Sequence, residues 1–119
     1  MRKDSVVRVK SCAFAVRIIN LYKYLIKNER EFVLSKQILR SGTSIGANVR
    51  EATRAESTAD FIHKLNVALK EADETQYWLE LLKDAEFVSG QAFDSINADC
   101  EELLRLLVSI ITSTKKKTL

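Results

Sequence analysis

The residues that most often carry out chemistry are scarce in this sequence. The single histidine, His63, follows Asp60 at the i, i+3 spacing with which a carboxylate and an imidazole bind metal in di-iron helical bundles. Such a centre needs two of these pairs, and a chain with one histidine cannot supply them. We therefore predict no metal site and no cofactor.

Nucleophilic and acid–base chemistry is also poorly supported. Cys12 and Cys100 lie in apolar stretches far apart in the sequence, which favours two buried, reduced thiols over nucleophiles or a disulfide. A helical ribonuclease that uses an arginine and a histidine needs both on about one turn, and Arg54 is too far from His63 for that. The sequence predicts a protein that is not an enzyme and has no catalytic residues.

Basic residues are the more informative group. The first 30 residues contain eight Lys or Arg and two Asp or Glu, whereas residues 51–102 contain four and thirteen. The net charge of +3 therefore conceals a dipolar chain. At helical spacing the basic side chains of the first half form one face on each of two helices, which favours binding to a phosphate backbone. The predicted nucleic-acid-binding residues are Lys10, Arg17, Lys23, Lys27, Lys36, Arg40, Arg50 and Arg54. Alternatively, these faces are solvated, or they pair with acidic residues within or between subunits.

Apolar residues at helical spacing predict four elements that position these side chains. The first helix runs from about Ser5 to Asn28, with two adjacent apolar stripes, and the second from about Ser35 to Ala55. A third helix begins near an N-cap at Ser57 or Thr58, with Asp60 in capping-box style. The dipeptide Ser89-Gly90 separates it from a fourth helix that ends in a lysine tail.

Composition agrees with this architecture. Proline is absent and glycine occurs three times, which suits long helices better than a β fold with many turns. Short connections place consecutive helices antiparallel. The predicted fold is all-α, an up-down-up-down four-helix bundle that forms a single domain over residues 1–119. No apolar run approaches the roughly 20 residues of a membrane span, so we expect a cytoplasmic protein with no membrane partner.

The second helix contains an unusual run of small residues between positions 40 and 50. Gly42 and Gly46 lie one turn apart, and each glycine costs a helix about 1 kcal/mol relative to alanine. We predict that this cost is offset by the close packing of a neighbouring helix. A phosphate-binding loop is the alternative, but no Lys-Ser/Thr follows the glycines and no strand precedes them.

The third helix has large side chains roughly opposite its core stripe. An apolar patch in that position is typical of a partner surface, and we predict that it forms a subunit interface. The predicted interface residues are His63, Val67, Tyr77, Trp78 and Leu81. In the alternative interpretation, Tyr77 and Trp78 only wrap round the edge of the core.

The segment from Leu34 to Asp84 resembles a family of bacterial four-helix-bundle proteins. These were first recognised as products of intervening sequences in 23S ribosomal RNA genes, and the family includes the accessory protein of diversity-generating retroelements. The most specific likeness is the run Ser44-Ile45-x-x-Asn48-Val49-x-Glu51, which is similar to the family's central signature. The residues assigned to this signature and to helix packing are Gly42, Ser44, Ile45, Gly46, Asn48, Val49 and Glu51.

The resemblance implies a homo-oligomer, with a pentameric ring as the expected assembly, and no known catalytic activity. It also implies RNA, DNA or a nucleoprotein as the partner, including a reverse-transcriptase-like protein. We therefore expect a non-enzymatic oligomer that binds nucleic acid through its basic helix faces. The alternative is a scaffold ring that binds a protein without touching nucleic acid. The ligand, its sequence preference, the subunit number and the subfamily are left open.

Overall fold

Four helices make up most of the chain in the computed structural model, which describes residues 2–117. The helices are α1 (Lys3–Asn28), α2 (Leu34–Ala52), α3 (Thr58–Asp84) and α4 (Gly90–Lys117). Both α1 and α3 pack against α2 and α4, and the described backbone makes no close approach between α1 and α3 or between α2 and α4. The bundle is 49 Å long and 22 Å across. The predicted all-α four-helix bundle is confirmed.

Serine side chains begin the third and fourth helices. The Ser57 hydroxyl accepts a hydrogen bond from the Asp60 N–H at 3.0 Å, and the Ser89 hydroxyl accepts one from the Ala92 N–H at 3.1 Å. Both bonds satisfy N–H groups that have no partner inside the helix. Ser57, one of the two predicted caps, and the break at Ser89-Gly90 are confirmed. The Asp60 carboxylate accepts from the Glu56 N–H and not from that of Ser57, so the predicted capping box is not closed.

The connection between α1 and α2 is held by Glu31. Its carboxylate accepts hydrogen bonds from the N–H groups of Leu34 at 3.0 Å and Ser35 at 2.7 Å. The Ser35 hydroxyl donates back to the Glu31 carbonyl at 2.8 Å. Arg30, with φ of 55°, lies in the left-handed region and turns the chain at this point. The start of α2 is therefore fixed by a residue outside the helix.

Two predicted helix ends differ from the structure by a few residues. The first helix begins at Lys3, not near Ser5, and the α-helical part of the second ends at Ala52, not Ala55. After Ala52 the N–H groups of the next residues bond three positions back, as in the pair Ala55 to Ala52 at 3.1 Å. The chain tightens into a turn while the apolar spacing continues, so periodicity alone extends the helix too far.

The core consists of aliphatic side chains from all four helices, together with Phe14, Phe93 and Cys100. The largest fully buried members are Phe14, Ile18, Leu25, Ile38, Ile45, Leu65, Leu79, Leu82, Leu103 and Leu107. The few buried polar groups are satisfied: the hydroxyls of Ser41 and Thr75 share a hydrogen bond of 2.9 Å between α2 and α3. No buried side-chain nitrogen or oxygen within residues 2–117 lacks a partner. None of the helices in that range is both long enough and apolar enough to cross a membrane.

The two cysteines lie in different environments, which corrects the prediction that both are buried. Cys100 is buried, and its thiol donates to the Ala72 carbonyl at 3.3 Å. Cys12 is exposed, and both thiols are free. In α1 the inward position is occupied by Ser11, so Cys12 points to the outside of the bundle, as does Ile19, which is 37% exposed. The second of the two apolar stripes predicted for α1 includes Cys12 and Ile19, and the structure contradicts its burial at both residues.

Candidate functional site

Two of the eight predicted nucleic-acid contacts lie at the seam between α1 and α4. Lys10 Nζ lies 3.2 Å from Glu102 Oε1, and Arg17 donates to Asp99 Oδ2 at 2.8 Å. Arg17 also donates to the carbonyl and the hydroxyl of Ser95. A phosphate would have to compete with these carboxylates, so both cations are poorly placed for nucleic acid.

A third predicted contact, Arg40, lies at the seam between α2 and α3. Its guanidinium donates to Glu71 Oε2 at 2.9 Å and also contacts the carboxylate of Glu74. Further along the same seam, Lys64 Nζ donates to Glu51 Oε1 at 2.9 Å, and this hydrogen bond raises the pKa of Lys64. Cations at this seam join neighbouring helices and are already neutralised.

The seam between α1 and α2 is closed by small residues. A Cβ atom on Gly42 would lie 2.7 Å from Ile18 Cγ1, which no real Cβ atom tolerates without a shift of the neighbour. A Cβ atom on Gly46 would lie 3.3 Å from the carbonyl oxygen of Ser11. The predicted close helix packing at these glycines is therefore confirmed, and α1 is the helix that approaches.

The other signature residues serve the second helix and its packing. Ile45 and Val49 belong to the core. The Ser44 hydroxyl donates to a carbonyl one turn back at 2.6 Å, and Asn48 Nδ2 donates to the Ser44 carbonyl at 2.9 Å. With Glu51 bound to α3, the signature has a structural explanation that requires no ligand.

An open groove runs along the outer side of α1 and α2 where the two helices meet. Its volume is about 1030 Å³. The residues that matter for its chemistry are Arg8, Val9, Cys12 and Val16 from α1, and Thr43, Gly46, Ala47, Arg50 and Arg54 from α2. Val9 is 54% exposed and Val16 is 53% exposed. This α1–α2 groove is thus an apolar surface open to solvent.

Arginines flank the apolar part of this groove. Arg50 and Arg54 are two of the predicted nucleic-acid contacts, and Arg8 joins them from α1. All three are exposed. Within residues 2–117 none of the three forms an ion pair with a carboxylate. The groove therefore combines apolar surface with positive charge that the described chain does not neutralise.

The remaining predicted contacts lie on the same face, towards the connection between α1 and α2. Lys23 lies seven residues after Val16, and Lys36 lies seven residues before Thr43, so both share the groove's side of their helices. Two residues of the connection add to them, since Arg30 and Phe32 are exposed, Phe32 by 53%. We define the loop-end patch as Lys23, Lys27, Arg30, Phe32 and Lys36, all of which are exposed.

Acidic residues near the loop-end patch are already engaged. The Glu31 carboxylate caps α2, as described above, and Glu29 accepts a hydrogen bond from the Tyr24 hydroxyl at 2.9 Å. That bond raises the pKa of Tyr24. In the part of the chain that the structure describes, no carboxylate pairs with a cation of the loop-end patch.

The predicted interface on α3 is divided between two surfaces. His63 is exposed and Tyr77 is 53% exposed, whereas Val67, Trp78 and Leu81 are only partly exposed. Trp78 packs against the core, and its Nε1 donates to the Glu74 carboxylate at 3.0 Å at the α2–α3 seam. The alternative interpretation therefore holds for Trp78, and Tyr77 is the large side chain that faces outwards.

The outward face of α3 carries three carboxylates, and exposed Lys70, seven residues before Tyr77, adds one positive charge beside them. Asp73, Tyr77, Glu80 and Asp84 follow one another at spacings of four, three and four residues, which places them on one side of a helix. All four are exposed. We call these four residues the α3 acidic face.

Several residues of these surfaces were not found by sequence reasoning. Arg8, Val9, Val16, Arg30 and Phe32 are absent from the predicted sites. Val9, Val16 and Lys23 repeat at seven residues, and this repeat is the signal that could have identified an apolar outer stripe on α1. This repeat is difficult to recognise because apolar residues cover about half of the circumference of α1.

Two residues with the chemistry of active sites are buried or engaged in the described chain. Cys100 is buried, and burial raises the pKa of its thiol to about 12. The carboxylate of Asp60 accepts a hydrogen bond from the Glu56 N–H at 3.2 Å. Among residues 2–117, no three His, Cys, Asp or Glu side chains are grouped so that they could hold a metal ion.

Comparisons with known proteins agree with the fold. The model of a family described as 23S rRNA-intervening sequence protein matches residues 3–109. A solved structure of a protein with unknown function from the S23 ribosomal protein family, from Bacteroides thetaiotaomicron VPI-5482, is 62% identical with a TM-score of 0.93. That match covers 93% of this chain and 99% of the other. No curated protein matches the sequence.

Proposed function

The chain belongs to the 23S rRNA-intervening sequence protein family, and from this premise we propose that it is a non-enzymatic homo-oligomer that binds nucleic acid or a nucleoprotein. In this proposal the contacts come from the loop-end patch, and the expected assembly is a pentameric ring in the cytoplasm. Of the eight basic residues predicted from the sequence, the proposal keeps Lys23, Lys27 and Lys36, which belong to the loop-end patch. The equally exposed Arg50 and Arg54 lie in the α1–α2 groove and are not part of it.

The observation that supports the proposal most strongly is the segregation of paired and unpaired cations. Lys10, Arg17 and Arg40 face carboxylates of α3 or α4. Lys23, Lys27 and Lys36 are exposed and have no such partner in the described chain. A phosphate that binds an unpaired lysine releases counterions without first breaking an ion pair, so only the second group gives full affinity.

Phe32 adds a feature that a purely electrostatic surface lacks. Its ring is 53% exposed in the connection that carries Arg30. Proteins that bind single strands combine cations that follow the backbone with aromatic rings on which bases stack. The loop-end patch contains both components, which favours an unpaired strand over a duplex.

The expected recognition is largely independent of base sequence. Lysines on solvated helix faces reach phosphates, and the described chain has no element that projects from the bundle to read base edges. A single patch of this size binds weakly. In a ring, however, several identical patches act on one strand, and each bound patch raises the effective concentration of the strand at its neighbour. Assembly is thus part of the proposed mechanism.

A salt series tests the proposal. Binding of a short fluorescent single-stranded RNA is measured by anisotropy for the parent and for a variant with Lys23→Gln, Lys27→Gln and Lys36→Gln. The parent should lose affinity steeply with salt, and the variant's log–log slope should be shallower by about 2, since each lost phosphate contact contributes roughly 0.7. An unchanged slope in a folded variant would refute the loop-end patch as the binding site.

A scaffold function is the second candidate, and the α1–α2 groove favours it. Val9 and Val16 are half exposed there, and apolar surface next to arginine is typical of protein interfaces. If the parent binds neither RNA nor DNA at low salt while it still assembles, a ring that binds only proteins replaces the nucleic-acid proposal.

A further inference from the structure

The shape and charge of the α1–α2 groove indicate which kind of protein surface could bind there. Val9 and Val16 are each more than half exposed, and Cys12 lies between them on the same face. The contribution of α2 at this level is small, with Gly46 and Ala47 in the lining. A groove of this kind accepts a protruding apolar side chain, and burying its walls would release water from apolar surface.

The rim of the groove requires an acidic partner. Arg8, Arg50 and Arg54 are exposed and unpaired within residues 2–117. A partner that buried the apolar centre without supplying carboxylates would partly desolvate these guanidinium groups at a cost. The occupant should therefore have a large side chain flanked by negative charge.

The α3 acidic face meets both requirements. Tyr77 projects from its middle and is 53% exposed, with Asp73 one turn before it and Glu80 one turn after it. Neither of these carboxylates forms an ion pair within the described chain. Tyrosine is also among the residues that contribute most to protein interfaces.

We infer that the α1–α2 groove binds the α3 acidic face of a second copy of this chain, with Tyr77 inserted between the exposed valines. The inference rests on the proposed homo-oligomer and specifies which surfaces form it. The geometry supports an intermolecular contact, since α1 and α3 lie diagonally across the bundle and one molecule cannot join its own groove to its own Tyr77.

The contact is head-to-tail, because it joins two different surfaces. Each copy then presents one groove and one α3 acidic face, and a series of such contacts closes into a ring when the rotation between copies allows it. A symmetric contact between two α3 acidic faces would place Asp73 and Glu80 against their own copies, and like charges in an interface disfavour it.

Mixing two broken copies tests this arrangement. Val16→Glu puts a carboxylate in the groove, and Tyr77→Glu removes the inserted ring. Each variant alone should be monomeric by light scattering, with a mass of 13.5 kDa. Together they should form a 1:1 pair and no larger species, because the Val16→Glu copy retains an intact α3 acidic face and the Tyr77→Glu copy an intact groove. Both sites are more than half exposed, so folding should be kept, as circular dichroism can verify.

Other results would overturn the inference. The inference fails if the mixture of the two variants stays monomeric. It also fails if either variant alone keeps the parent's mass, or if the parent is itself monomeric. If Val16→Glu keeps the parent's mass but loses RNA binding, the groove is a nucleic-acid site. If Val16→Glu does not fold, Val9→Glu takes its place in the same experiment.

A charge exchange provides an independent arm. Reversing Arg50 and Arg54 to Glu, or Asp73 and Glu80 to Lys, should each abolish assembly, and all four changes in one chain should restore it. A combined variant that stays monomeric contradicts the pairing. These masses are measured without nucleic acid. A parent that assembles but binds no RNA would therefore contradict the nucleic-acid part of the proposed function and leave this inference standing.

Discussion

Two groups of basic residues on α1 and α2 have the same chemistry and different surroundings. At the seams with α3 and α4, Arg17 and Arg40 bind carboxylates of the neighbouring helix. On the outer face, Lys23 and Lys36 meet no carboxylate in the described chain. The difference comes from angular position on the helix: a residue next to the core stripe reaches its neighbour, whereas one farther round does not. Charge alone therefore does not identify a binding surface.

The seams themselves also differ in what holds them. The α1–α2 seam is closed by the contact of Gly42 with Ile18 and of Gly46 with the backbone of Ser11. The α1–α4 and α2–α3 seams have ion pairs at their edges. A closely packed seam cannot accommodate a larger side chain without strain. An exposed ion pair contributes little to the free energy of unfolding, so its loss costs little. Substitutions at the two kinds of seam should therefore have very different effects on stability.

The largest expected difference is in the reactivity of the two thiols, since Cys12 lies on the outer face and Cys100 in the core. In the Tyr77→Glu variant, Cys12 should react with iodoacetamide at least a hundredfold faster than Cys100, because Cys100 is buried and burial raises its pKa to about 12. Mass spectrometry should find one modified thiol in the native protein and two in denaturant. Slower modification of Cys12 in the assembled parent would indicate that the groove is covered. Equal rates for the two thiols in native protein would contradict the description of α1.

Substitution at the α1–α2 seam should cost the most stability. Gly42→Leu places its Cβ 2.7 Å from Ile18 Cγ1, and overpacking of this kind lowers the free energy of unfolding by about 1 to 3 kcal/mol or more, despite the better helix propensity of leucine. Urea unfolding measures the loss. Gly90→Ala is the matched control, since nothing lies within 4 Å of a Cβ there, and it should be neutral or slightly stabilising. A Gly42→Leu variant as stable as the parent would show that α1 and α2 are not closely packed at Gly42.

The smallest expected effect is at an ion-pair seam. Arg40→Gln removes the bonds to Glu71 and Glu74, but the Arg40 side chain is 50% exposed. The free energy of unfolding should fall by no more than about 1 kcal/mol. Urea unfolding of the Arg40→Gln variant measures this loss. A loss as large as that of Gly42→Leu would mean that the seams are not distinguished by packing.

The fold was accessible from the sequence because its signals are local. Absence of proline, helical periodicity and the Ser57 and Ser89-Gly90 signals predict the four helices and most of their ends. The close approach at Gly42 was also predictable, because a glycine that costs helix stability needs a compensating contact. Misplaced ends, such as that near Ala52, occur where a turn continues the apolar spacing.

The binding surfaces were less accessible because they depend on which helices are neighbours. Apolar residues cover so much of α1 that Cys12 and Ile19 could be assigned either inwards or outwards. The partners of Arg17 and Arg40 come from helices distant in sequence, and their ion pairs require the folded arrangement. Spacing within one helix therefore groups residues into a face but does not say what that face meets.

The most direct test compares the two groups of cations at equal loss of charge. One variant carries Lys23→Gln, Lys27→Gln and Lys36→Gln, and the other carries Lys10→Gln, Arg17→Gln and Arg40→Gln. Affinity for the same single-stranded RNA is measured at one ionic strength, after light scattering confirms equal assembly. We predict that the first variant binds at least about tenfold more weakly than the parent and the second within about twofold of it. Equal losses in the two variants would show that only net charge matters and would contradict the account.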